Sequence, residues 1–180
     1  MAGRLIGVVG PSGVGKDSVM EGLCAMRPDL HRVRRSITRA ADAGGEDFQA
    51  VTPEQFARMQ ARGDFTLWWD AHDLRYGIPA GVHDVLTRGQ DAIVNLSRGV
   101  LREAQVRFAH FHVISLTAAP EVLAERLARR GRETPGDIAN RLAREALDLP
   151  QTLDIVEIRN DRPLEATLAE IAALYFPANV

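Results

Sequence analysis

Apolar positions along the chain follow two rhythms that alternate. Short, nearly continuous runs such as Leu5-Ile6-Gly7-Val8-Val9 and Ala92-Ile93-Val94-Asn95-Leu96 have the length of buried strands. Between them lie stretches with helical spacing, such as Val122, Leu123 and Leu127, or Leu164, Leu168, Ile171 and Leu174. The pattern predicts strands at 4–10, 30–38, 65–70, 92–96, 111–116 and 155–159. It predicts helices at 14–26, 82–88, 100–108, 120–130, 137–149 and 164–175. A further helix opens at Thr52-Pro53-Glu54, a cap residue, a first-turn proline and an acid, and should end at Gly63. Residues 40–46, 129–133 and Tyr76-Gly77-Ile78-Pro79 read as turns. Regular alternation of strand and helix predicts an α/β fold, a parallel sheet covered by helices.

Composition narrows the class. A chain of 180 residues with 46% hydrophobic and 26% charged residues suits one soluble domain. A formal net charge of −2 gives no general case for a nucleic-acid or membrane-surface partner, so any basic site must be local. No apolar stretch reaches the roughly 20 residues of a membrane helix, and the first apolar run is too short for a signal peptide. The single Cys24 cannot form an internal disulfide and reads as a core residue in a reduced, cytoplasmic setting. His31, His83, His110 and His112 lack metal-ligand spacing and read as surface or satisfied core histidines. The oligomeric state has no signature here.

Chemistry enters at Gly10-Pro11-Ser12-Gly13-Val14-Gly15-Lys16-Asp17-Ser18, between the first strand and the first helix. Strand, glycine-rich turn and helix is the context of a phosphate-binding P-loop. Glycines let the backbone turn its N–H groups toward phosphate oxygens, and the helix N-terminus adds partial positive charge. Lys16 is the only lysine among 22 basic residues, and it stands where an ammonium reaches the outer phosphates of ATP. The hydroxyl residue that usually follows this lysine is replaced by Asp17, with Ser18 next. Asp17 and Ser18 are the candidate Mg²⁺ ligands, a carboxylate being a hard ligand suited to that ion.

Two arginine groups suggest an acceptor and a lid. Arg34, Arg35 and Arg39 follow the second strand, at the sheet end where open α/β folds bind ligands. Guanidiniums there suit a phosphorylated acceptor. Arg126 and Arg130, four apart, share a helix face, and Arg141 lies beyond the next loop. An arginine-lined segment of this kind can close over ATP and stabilise the transferring phosphoryl group.

Together these motifs resemble the guanylate kinase-like family over nearly the whole chain. The resemblance implies a P-loop NTPase fold in a single domain, 1–180, with a parallel five-stranded core sheet. It also implies small acceptor-binding and lid subdomains, at about 35–90 and 126–141. Arg126, Arg130 and Arg141 match the family's lid, and Asn160-Asp161 its adenine-side loop. Thr38-Arg39, Gly45-Glu46-Asp47-Phe48 and Tyr76-Gly77 match its acceptor segment. The family's guanine-reading glutamate and hydroxyl fall on Leu67 and Ile78, which cannot hydrogen-bond through their side chains. A purine there would leave polar groups unpaired, at about 1–3 kcal/mol per buried group. Two further phosphate-binding positions fall on Asp42 and Phe48.

The altered set resembles the ribose 1,5-bisphosphate phosphokinase branch of that family, which serves phosphonate catabolism. The matching runs are Gly15-Lys16-Asp17, residues 38–47, residues 72–79 and Val94-Asn95-Leu96-Ser97-Arg98. The resemblance implies a sugar phosphate acceptor, with ATP and Mg²⁺ as cofactors. It implies acceptor contacts from Arg35, Arg39, Asp47, His72, Arg75, Tyr76 and Arg98. Gly10 through Ser18, with Asn160, are expected at the nucleotide, and Lys16, Arg126, Arg130 and Arg141 at the transferring group. Two alternatives stay open: a guanylate or other nucleoside-monophosphate kinase, and a non-catalytic scaffold domain of the same fold. Trp68 and Trp69 could stack on a sugar, with core packing expected of at least one.

Overall fold

The computed structural model describes residues 2–41, 46–129, 149–150 and 152–177. Five parallel strands form the central sheet: β1 (Leu5–Val9), β2 (His31–Arg32), β7 (Ala92–Asn95), β8 (Phe111–Thr117) and β9 (Ile155–Arg159). Their order is β2-β7-β1-β8-β9, so the P-loop strand is central. Every residue of β1 is buried. Its side chains alternate between two cores: Leu5 and Val9 enter one, Ile6 and Val8 the other. β7 repeats this, with Ala92 and Val94 on the first side and Ile93 on the second. Near-continuous apolar strands are what a sheet covered on both faces requires.

Helices α1 (Lys16–Met26) and α6 (Leu164–Tyr175) cover the second side, through Val19, Met20 and Leu23 and through Leu168, Ile171 and Tyr175. They approach closely at Gly22, where a Cβ would fall 2.5 Å from Leu168 Cδ1. Cys24 is half-buried against this core, and burial pushes its thiol pKa up. Helices α3 (Val82–Thr87) and α4 (Leu101–Arg107) cover the first side with Val82, Val85, Leu86, Leu101 and Ala104. Helix α5 (Pro120–Arg129) leads away from β8. The expected helix at 137–149 lies outside the described residues, apart from Leu149.

A second sheet packs on the first side, in the order β4-β3-β6-β5. Its strands are β3 (Ser36–Ile37), β4 (Gln49–Ala50), β5 (Phe65–Ala71) and β6 (Leu74–Pro79). Helix α2 (Pro53–Ala61) joins β4 to β5 and has the expected start: Thr52 Oγ1 accepts from the Gln55 N–H, and Gln55 Oε1 from the Thr52 N–H.

Two expectations change. The strand expected at 30–38 is two strands in different sheets. Val33 N–H still bonds to Ile93 in the parallel sheet, while the Arg35 carbonyl already accepts from Gln49. The expected turn at Tyr76-Gly77-Ile78-Pro79 is strand β6, paired antiparallel with β5. The turn is His72-Asp73, both with positive φ (53° and 59°), a two-residue hairpin made without glycine. Gly77 has a packing reason instead: a Cβ there would lie 2.6 Å from the Phe65 ring.

Tyr175 gives a test of the second core. Its hydroxyl donates to the Val113 carbonyl at 3.4 Å, and burial, reinforced by Asp154, pushes its pKa up to about 12. The raised value means the folded state holds the phenolic proton more tightly than the unfolded chain. This contribution to stability is complete below pH ~10, the unfolded pKa, and is lost as pH rises through about 12. An alkaline absorbance titration should show one of the two tyrosines ionising late, and Tyr175→Phe should remove that step.

Candidate functional site

The carboxyl ends of the parallel strands meet at one edge, where the P-loop leaves β1. Its shape depends on three glycines with positive φ: Gly10 (150°), Gly13 (83°) and Gly15 (95°). A Cβ at Gly10 would strike the Leu116 carbonyl at 2.5 Å, and one at Gly15 the Asn160 amide at 2.7 Å. Glycine is therefore required both by conformation and by space. α1 begins at Lys16, so the first N–H groups of that helix lie at the loop. Lys16 Nζ donates to the Gly10 carbonyl at 2.6 Å and to Pro11 at 3.2 Å, which lays the ammonium along the loop.

The Val14 carbonyl is held from two sides. Asn160 Nδ2, buried at the end of β9, donates to it at 2.7 Å. Arg126 Nη1, on α5, donates at 3.3 Å. Asn160 N–H in turn donates to Thr117 at the end of β8. Asn160, expected at the nucleotide, braces the loop with its side-chain amide at this same edge. Arg126 lies beside the P-loop, whereas Arg130 and Arg141 lie outside the described residues. Asp161 also works in the frame: its Oδ2 accepts from Ala119 N–H at 3.4 Å, and the Arg159 hydrogen bond holds its carboxyl below the usual carboxylate range.

Asp17 and Ser18 separate clearly. Adjacent helix residues point different ways. Ser18 is exposed, whereas Asp17 has a buried Oδ1 without a hydrogen-bond partner, with Arg32 Nη2 4.0 Å away. A carboxylate oxygen without a hydrogen bond in the first turn after a P-loop, only loosely paired with Arg32, fits a hard cation such as Mg²⁺. Among the described residues no three His, Cys, Asp or Glu gather around a metal-sized space.

The second sheet and its flanks carry Arg39 and Tyr76 of the expected acceptor residues. The Arg75 N–H donates to Thr38 Oγ1 at 2.8 Å, which sets Arg39 beside the start of β6. The Arg39 guanidinium lies over the Phe48 ring, 5.6 Å from its centroid. Tyr76 stacks on Trp69, with centroids 5.3 Å apart. Arg98 stands in the turn after β7, at the same edge as the P-loop. Others are less favourably placed. His72 is exposed at the hairpin tip. Asp47 is paired with Arg34 at 2.9 Å, and Arg75 with Asp70 at 3.2 Å, both at the surface. Arg35, expected at the acceptor, is 5% exposed and paired with Glu46. Arg34 and Glu46 fasten residues 46–48, and nothing in their spacing signals the pairings. Trp69 is core and Trp68 is exposed.

Leu67 and Ile78 face each other across β5 and β6, each 1% exposed, within the first core beside Val9, Val33 and Leu96. Their surroundings are as apolar as the residues.

The parallel order, the P-loop at the central strand and the second sheet define a P-loop kinase fold. The chain matches the AAA domain family model over residues 6–147. The guanylate kinase from Anaplasma phagocytophilum superposes with a TM-score of 0.62 at 18% identity, over 99% of this chain and 98% of that one. A sugar kinase from Janibacter sp. HTCC2649 superposes with a TM-score of 0.59 at 18% identity, over 97% of this chain and 96% of that one. At such identities the likeness is one of fold. Sequence comparison goes further. The ribose 1,5-bisphosphate phosphokinase PhnN of Ruegeria sp. (strain TM1040) is 49% identical over 96% of this chain and 91% of its own length. The protein of that name in Rhizobium etli (strain CIAT 652) is 44% identical over 96% and 89%. The chain belongs to the ribose 1,5-bisphosphate phosphokinase family.

The loop geometry makes a direct prediction. Gly15→Ala adds a Cβ to a positive-φ residue and drives it against Asn160. Affinity for a fluorescent ATP analogue should fall about tenfold or more, matching the roughly 1–3 kcal/mol cost of a disfavoured backbone conformation. Undiminished affinity would show that this clash is relieved without disturbing the loop.

Proposed function

We propose that this chain is a cytoplasmic ATP-dependent kinase that phosphorylates the 1-phosphate of ribose 1,5-bisphosphate. The product is 5-phospho-α-D-ribose 1-diphosphate, formed in alkylphosphonate degradation. The observation that carries the reading is the buried Leu67–Ile78 pair in a chain that keeps the P-loop glycines and Lys16. Nucleotide machinery is retained where base recognition is lost. The name shared by the close relatives supports the same acceptor.

The reaction forms a bond between an acceptor 1-phosphate oxygen and the γ-phosphorus, and breaks the bond from that phosphorus to the ADP oxygen. A phosphate monoester has lost most of its protons near neutral pH, its second pKa being about 6. The nucleophile needs no general base, so positioning and charge neutralisation carry the rate. Lys16, with the backbone of residues 10–18, holds the triphosphate. Asp17 would hold Mg²⁺, and Ser18, pointing to solvent, is the weaker candidate. Bound there, Mg²⁺ supplies charge neutralisation for the outer phosphates. Arg39, Arg75, Arg98 and Tyr76 form the seat for the two acceptor phosphates, with His72 and Asp47 at its rim. The lid, about 126–141, brings Arg126, Arg130 and Arg141 to the transferring group. The second sheet, within about 35–90, is the acceptor lobe of a single domain.

A product assay with ATP tests the function: ribose 1,5-bisphosphate should be converted and GMP should not. Brisk GMP turnover with none of the pentose bisphosphate would reverse the assignment. Arg39→Ala should chiefly raise the acceptor KM, whereas Arg126→Ala should chiefly lower kcat. Each effect should be about tenfold or more, as for loss of a charge-assisted contact worth roughly 1.5–3 kcal/mol. The opposite split would exchange the two roles.

A further inference from the structure

The sheet face that carries Leu67 and Ile78 also carries Arg35, which is fastened down rather than turned to solvent. Its Nε donates to Glu46 Oε2 at 3.1 Å and its Nη2 donates to Glu46 Oε1. Both side chains are shielded, at 6% and 13% exposure. The guanidinium carbon lies 5.0 Å from the Tyr76 ring centroid and 5.9 Å from that of Trp69. Those two rings are nearly parallel, at 8°. A planar cation is thus laid against an aromatic pair and held along its edge by a carboxylate.

Such a pair is a weak choice for stability alone. Removing two charges from water is costly, and apolar residues of similar volume often serve a core as well or better. What the ion pair adds is direction. Glu46 immediately precedes Asp47 and Phe48. The Phe48 carbonyl accepts from Arg34 Nη2 at 3.0 Å, and its ring lies under Arg39. The Arg35 carbonyl accepts from Gln49 N–H at 2.8 Å, so the segment is fastened on both sides of Phe48.

We propose that the Arg35–Glu46 pair sets acceptor specificity. It fills the face where a nucleobase would lie and positions Arg39, through Phe48, for an acceptor phosphate. Arg35 is a positioning residue, not a phosphate ligand. A purine laid along this face would have to displace the guanidinium from Tyr76 and Trp69 and strand the Glu46 carboxylate. The inference rests on the acceptor proposed above.

The test compares the parent enzyme with Arg35→Ala, Glu46→Gln and the double variant Arg35→Met, Glu46→Leu. For each, the acceptor KM, the ATP KM, kcat and the thermal midpoint are measured. Both single variants should raise the acceptor KM by roughly tenfold or more, since small misplacements of positioning groups are costly, with the ATP KM within about twofold. The double variant should recover the thermal midpoint while its acceptor KM stays raised. That separates direction from space-filling. A double variant with the parental acceptor KM, or single variants whose two KM values rise together, would overturn the proposal. Turnover of ribose 1,5-bisphosphate by the parent is measured first. Its absence overturns both this inference and the proposed function. Its presence, with an unchanged acceptor KM in the variants, overturns the inference alone.

Discussion

The Val14 carbonyl is the point on which the nucleotide side of the molecule depends. A loop that turns its N–H groups toward a phosphate must turn carbonyls elsewhere, and each needs a partner. Val14 finds two, the Asn160 amide at the end of β9 and the Arg126 guanidinium on α5. Asn160 is fixed by Thr117 on β8, the next parallel strand. The loop curvature is therefore a property of the central sheet and its carboxyl edge. The positive-φ glycines permit this curvature, and the two donors hold it.

The acceptor side follows the opposite logic. Leu67 and Ile78 join the first core, and Arg35 is paired with Glu46 and stacked on Tyr76. Sealing this face costs the ability to hold a polar ring there, because buried unpaired donors and acceptors are unfavourable. What remains for recognition is charge around the rim, which suits a small, doubly phosphorylated molecule. On the proposed function, one scaffold keeps its phosphoryl-donor half while its acceptor half reads phosphate.

The sequence was most informative where the backbone itself is under constraint. The P-loop announced itself because glycine, lysine and a strand-helix junction occur together. Helix α2 did so because Thr52, Pro53 and Gln55 satisfy its first turn locally. The central strands were legible because they are buried on both faces. The second sheet was harder to read. β3 and β4 have two residues each, too few for a period. β6 was hidden because its hairpin turns at His72-Asp73 without glycine, while Gly77 drew the turn to the wrong place. In the site, the apolar character of Leu67 and Ile78, and so their place in the core, was visible from residue type. The burial of Arg35 was not, because an arginine beside two others reads as exposed until its partner eleven residues on is brought against it. The bond from the Asn160 amide to the Val14 carbonyl was not legible, since a side-chain hydrogen bond to a backbone 146 residues away leaves no local trace.

The central claim is that this protein recognises an acceptor by phosphate and not by base. Calorimetric titration tests it most directly, with the protein saturated with Mg²⁺ and a non-hydrolysable ATP analogue. Ribose 1,5-bisphosphate should bind saturably, and GMP at the same concentrations should give no binding heat. Saturable GMP binding with none for the pentose bisphosphate would contradict the account.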